Sequence, residues 1–182
     1  MRQILFLFII TLLVLSCKAQ HPIIPLYKGS DYLETQNAYY KDVDGDLQKL
    51  VGNWKYTSGN EIFELHLRIK TQNLSEFSIT NFSCYEDIIY GEYKYVDQND
   101  VEVLNTLSQI DSNNDPYEHT IYGGYIKDIY DLPICDDCNP NERRVVVVIK
   151  DPLRYYFDYD MIIRHLPREE VLDNPERIKI SV

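Results

Sequence analysis

Cations are scarce in this chain: 18 Lys and Arg stand against 29 Asp and Glu, a formal net charge of −11 at pH 7. That balance argues against binding nucleic acid, or an anionic membrane surface by electrostatics, and favours solubility and cationic partners. Histidine is also sparse, and the four at 21, 66, 119 and 165 show neither metal-ligand nor triad spacing. Nucleophile elbows, HExxH helices and phosphate-cradling glycine loops are missing. The chain is therefore expected to be non-enzymatic and to carry no cofactor. Apolar stripes of 3.6-residue period are lacking too, leaving as helix candidates only Asp46 to Val51, with Asp46 as N-cap, and a turn around Pro167 to Val171. Long apolar runs are absent with one exception.

The exception runs from Ile4 to Leu15, behind the single cation Arg2, and stops at Ser16-Cys17. It falls short of the about 20 residues a permanent transmembrane helix needs, so residues 1–16 read as a signal peptide. Val14-Leu15-Ser16-Cys17 resembles a lipobox. The resemblance implies cleavage before Cys17 and a lipid on its sulfur, with membrane attachment through two or three acyl chains. One chain alone anchors marginally, at about 0.8 kcal/mol per buried methylene. Lys18 in place of Asp after the cysteine implies outer-membrane sorting. Cys17-Lys18-Ala19 also fits ordinary secretory cleavage after Ala19, which would release a soluble periplasmic or secreted chain.

Two-residue periods dominate the rest of the chain. Phe63, Leu65, Leu67 and Ile69 alternate with Glu64, His66, Arg68 and Lys70, the pattern of a half-buried strand. Ile89 to Tyr95 and Tyr155 to Ile163 alternate likewise, and Val101 to Leu107, Thr120 to Ile126, Val145 to Ile149 and Ile178 to Val182 add further strands. Val145 to Ile149 is apolar on both faces and belongs at the centre of a sheet. Short breaks at Ser58-Gly59-Asn60, Asp97 to Asp100 and Asp111 to Pro116 suit antiparallel connections, and Gly123-Gly124 reads as a bulge or a close-packing site. The expectation is an all-β, mostly antiparallel domain over residues 46–182 behind a tether at 17–45. A lipocalin-like up-and-down barrel is favoured because closure removes strand edges, with a β-sandwich as the alternative.

Leu50-Val51-Gly52-Asn53-Trp54, a short helical turn running into Gly-x-Trp, is similar to the opening of lipocalins and related calycins, where the Trp plugs one end of the barrel. A wider resemblance is to a family of uncharacterised small lipoproteins from Gram-negative bacteria. It is carried by Cys17-Lys18-Ala19-Gln20, Tyr40-Lys41-Asp42, Gly52-x-Trp54-Lys55-Tyr56, Gly91-Glu92-Tyr93-Lys94-Tyr95, Asn105-Thr106-Leu107, Cys135-x-x-Cys138, Asn141 to Arg144 and Asp151-Pro152. It implies export and a β fold, and no activity.

Beyond Cys17 the cysteines are Cys84, Cys135 and Cys138. In an oxidising compartment one pair is expected to join: Cys135 with Cys138, or one of them with Cys84. The two carboxylates inside Cys135-Asp136-Asp137-Cys138 disfavour a reactive thiolate, and one paired spacing falls short of a zinc site, so no metal is expected. Asp42-Val43-Asp44-Gly45-Asp46 opens like a calcium loop but has Leu47 and Asn53 where that loop needs Gly and Glu, which leaves a polar turn. Sixteen tyrosines suit either a barrel interior or a binding surface. If the odd face of the strand at 89–95 points inward, Tyr93 and Tyr95 line a lumen with Trp54, Phe63, Leu65, Tyr155, Phe157 and Tyr159. Two functions fit this reading: an interaction or structural protein of the cell envelope with a filled interior, or a lipocalin-like module binding a small apolar ligand.

Overall fold

The computed structural model describes residues 21–27, 34–154, 156, 158–167 and 177–181. Cys17, the signal peptide, Ala19, Tyr155, Phe157 and most of the expected turn after Pro167 lie outside them.

Ten strands form one mixed sheet: β1 (Ile23–Pro25), β2 (Tyr39–Lys41), β3 (Gly52–Ser58), β4 (Glu61–Phe77), β5 (Phe82–Val96), β6 (Glu102–Asn105), β7 (Ile121–Lys127), β8 (Arg144–Lys150), β9 (Asp158–Leu166) and β10 (Arg177–Ser181). The alternation of Phe63 to Lys70 and of Ile89 to Tyr95 becomes the long β4–β5 hairpin. β4 covers one edge of β5, while β2, β7 and β6 share the other. From β5 the antiparallel path continues through β7, β8 and β9 to β10, and β3 borders β4. β8, apolar on both faces, sits between β7 and β9 as its composition predicts.

The sheet curls around Leu65, Leu67, Ile89, Ile121, Val147, Met161 and Ile163, all almost wholly buried. Truncating any of the leucines, isoleucines or Met161 among them to Ala would cost about 2–5 kcal/mol. Leu47 and Leu50, flanking or within a 3-10 turn at Gln48–Leu50, join this core. The all-β class holds, but the sheet does not close into a barrel: it branches at β5, and β3 and β10, terminal strands like β1 and β6, are not joined to one another. The sheet instead folds back over its own apolar face, a two-layer packing that a sandwich shares.

A bulge redirects β4. Between Lys70 and Asn73 the register slips, so Thr71 and Gln72 stand opposite Asp87 alone, with Gln72 at φ 53°. Beyond it Asn73 and Ser75 pair with Glu86 and Cys84, which by alternation lie on the other face of β5 from Ile89, with Cys84 sealed in the buried cluster. That outer face of β5 is covered by the 106–119 connection, which places Pro116 and His119 in buried positions and Tyr117 beside Glu86. Buried carboxylates need hydrogen bonds to offset their lost hydration. Glu86 takes hydroxyls from Ser75 and Tyr117, and Glu92 takes Thr120 at 2.7 Å and meets His119 Nδ1 at 2.8 Å.

The expected helix shrinks to the single 3-10 turn. Its first amides are held by Asp42, whose carboxylate accepts the N–H groups of Asp46, Leu47 and Gln48, while Asp46 caps nothing and pairs with Lys49 and Arg143. The carboxylates of the calcium-like segment are thus turned onto backbone amides and onto Arg143, which also contacts Asp44 at 2.6 Å. Part of the segment read as a tether enters the sheet: β1 and β2 lie in it, and Ala38 and Tyr40 are fully buried. Gly123 and Gly124 mark a register slip against β8, and a Cβ on Gly123 would stand 3.0 Å from the Val147 Cα.

Candidate apolar cleft at the open seam

Because β3 and β10 do not pair, the sheet is open along the line where they approach. Residues of β3 and β4 form one wall and β10 the other. The opening consists of two adjoining depressions of about 510 and 610 Å³, which share Tyr56, Phe63, Arg177, Ile178 and Ile180. Volumes of this order hold a small organic ligand. The lining is apolar because the inward row of β3–β4 pairs Trp54 with Leu65 and Tyr56 with Phe63, while Ile178 and Ile180 alternate toward it from β10.

Trp54 is fixed in place: its Nε1–H donates to the Leu50 carbonyl at 2.9 Å, leaving the ring as cleft wall. It is half-buried beside the cleft, whereas Leu47 and Leu50 are sealed in the core. The role of end plug that the calycin resemblance implies for the Trp is therefore not the one it has here. Tyr95 lies at the second depression with its hydroxyl on Glu61 at 2.9 Å, a bond that raises the Tyr95 pKa. At the mouth stand Lys55 and Arg177, and the first depression has no acidic residue in its lining. A cationic mouth is unexpected in a chain so acidic.

Four of the residues predicted to line a lumen, Trp54, Phe63, Leu65 and Tyr95, do come together at the cleft. Tyr93 lies deeper, 8% exposed beneath Phe63 with ring centroids 5.7 Å apart, and burial pushes its pKa up to about 12. Tyr159 is on the expected face but opposite Ile149, away from the cleft and 47% exposed. Tyr155 and Phe157 fall outside the described residues. Sequence reasoning missed Tyr56, Arg177 and Leu166. The parity of Ile178 and Ile180 was legible, but no local signal says that their strand faces β3.

Cys135 and Cys138 form a disulfide, and Cys84 is a free, buried thiol whose pKa burial raises to about 12. Cys135, Asp137 and Cys138 crowd together, but the bond consumes both thiolates a metal would require. A polar groove of about 610 Å³ beside the β4 bulge is lined by Asn73, Ser75, Phe77 and Tyr117. Its hydroxyls are turned inward onto Glu86, and burial together with that carboxylate raises the Tyr117 pKa. The seam cleft, by contrast, presents its side chains to an incoming molecule.

No curated protein and no solved structure matches the chain. One family profile does, over residues 1–182 and so from end to end. The chain belongs to DUF6705, a family of unknown function.

Proposed function

We propose that this protein is a non-catalytic binding module of the bacterial cell envelope, which takes a small apolar ligand with an anionic end into the cleft between β3–β4 and β10. The observation that carries the reading is the open apolar cleft itself, walled by Trp54, Phe63, Leu65, Ile178 and Ile180, with Lys55 and Arg177 at its mouth. Apolar walls supply affinity in proportion to area removed from water, and charges at the rim orient the ligand. The lipobox-like Val14 to Cys17 supports attachment to the outer membrane through a lipid on Cys17, with cleavage after Ala19 as the alternative. A filled interaction or structural domain, the other expectation, predicts no ligand at all.

Trp54 is the single tryptophan, so its emission reports on the cleft directly. Titration with a long-chain alkyl carboxylate should shift Trp54 emission to the blue and saturate, and Ile178→Asp should abolish the change. An emission spectrum unmoved by this ligand and by the matching alcohol would leave the filled-domain reading standing. Mass spectrometry of protein purified from the envelope reads retained ligand and the lipid on Cys17 together. An unmodified chain beginning at Gln20 would reject the lipid anchor without touching the cleft.

A further inference from the structure

On the outer face of the sheet, four cations stand side by side across four strands. Lys127 of β7 pairs with Arg144 of β8, Arg144 with Arg164 of β9, and Arg164 with Lys179 of β10. Directly paired residues share a face, and the neighbouring row, Ile126, Val145, Ile163 and Ile180, is the apolar one that meets the core. With strands roughly 4.8 Å apart, the cationic row is about 14 Å long. Like charges directly opposite one another destabilise a sheet unless something compensates them.

The compensation comes from the 128–142 connection, which is laid over the row. Asp137 bonds Arg164 at 2.8 Å and Lys179 at 2.7 Å, and Glu142 bonds Arg164 at 2.6 Å. The other two cations receive only carbonyl oxygens: Lys127 that of Leu132, and Arg144 those of Asp128, Asp131 and Pro133. Four positive charges thus meet two carboxylates. Arg144 is 3% exposed, and its Nε is the one buried side-chain polar atom among the described residues without a hydrogen-bond partner. Both ends of the row reach open space, since Lys127 lines a groove of about 390 Å³ and Lys179 the seam cleft.

We propose that this row is a binding site for a linear phosphate polyanion, and that the 128–142 connection is an internal anion which such a ligand displaces. The two central guanidiniums present forked donors that match phosphate oxygens, with a lysine at each end for flanking charges. A chain of phosphates would supply the negative charge missing over Lys127 and Arg144 and reach the unpartnered Nε. The length of the row selects a multiply charged, extended ligand over a single small anion.

Calorimetric titration of the detergent-solubilised mature protein with inorganic tripolyphosphate tests this. Asp137→Asn removes part of the internal anion at a side chain 63% exposed, so the fold survives, and affinity should rise about tenfold, the effect of one charge-assisted contact. Lys127→Gln with Lys179→Gln should weaken binding about tenfold or more and flatten its salt dependence. The proposal is overturned if Asp137→Asn binds no more tightly than the parent, if the double lysine variant binds equally well, or if sulfate binds as tightly as tripolyphosphate.

Discussion

The Asp87 carboxylate accepts the backbone N–H of Gln72 at 3.0 Å, and through that bond one side chain sets the bulge that turns β4. The same carboxylate accepts the Tyr39 hydroxyl at 2.6 Å and the Asp42 amide at 2.9 Å, tying β2 and the following turn to the hairpin. Asp87 is 3% exposed, so removing it orphans three donors at once. Asp87→Ala should cost about 4–5 kcal/mol, the low end for three bonds to a charged group at roughly 1.5–3 kcal/mol each. Urea unfolding measures the loss, and faster amide exchange at Gln72 and Asp42 locates it; slow exchange at both in the variant would show that the bulge stands without Asp87.

Gly91 sits mid-strand where no turn calls for glycine. A Cβ there would meet the His66 carbonyl oxygen at 2.5 Å and Leu67 Cδ2 at 2.7 Å. Backbone cannot yield as a flexible side chain does, so Gly91→Ala should destabilise by about 1–3 kcal/mol, the range for overpacking. A denaturation midpoint equal to the parent's would contradict this spacing.

Acid should loosen the 128–142 connection. Burial tends to raise the Glu142 pKa, but the Arg164 guanidinium and the Asn139 amide outweigh it and hold the carboxyl below its ordinary 4.5; Lys179 and Arg164 likewise lower Asp137. A group depressed in the folded state stabilises above its unfolded pKa and ceases to do so as pH falls through the folded one. Stability should therefore be flat above about pH 5 and decline below the ordinary carboxylate range near 4. Glu142→Gln should shrink that decline when thermal midpoints are followed against pH.

Thiol labelling separates the cysteines. In a chain carrying Cys17→Ser, native protein should show no reactive thiol, because Cys84 is fully buried with its pKa raised by burial and Cys135 and Cys138 are joined. Mild reduction should expose two, and only denaturation the third. Labelling of Cys84 in the native state would contradict its burial.

How much the sequence reveals depends on how local the cause is. Alternation from Phe63 to Lys70 fixes a strand and its inward face because side-chain period is a property of the strand alone. Gly59 at φ 60° and the Asp97 to Asp100 segment mark their hairpin turns for the same reason. The bulge at Thr71-Gln72 carries no glycine and depends on a carboxylate 15 residues away, so nothing nearby announces it. β1 and β2 are three residues each, too short for a period to register. The cleft divides the same way. Its β3–β4 wall could be read from parity, its β10 wall only from how the sheet curls. Tyr159 had the right face and the wrong place along the strand. The cationic row is legible only once three registers are known.

Two unpaired strand ends make the open seam a template on which copies of the chain could add to one another, β3 of one molecule against β10 of the next. Lys55 lies on β3 and Arg177 on β10, so both edges carry the same sign within an acidic molecule. Two copies meeting edge to edge would bring cations together while the rest of their surfaces already repel. The charge at the mouth of the cleft thus opposes edge-to-edge polymerisation, most strongly where chains are crowded side by side.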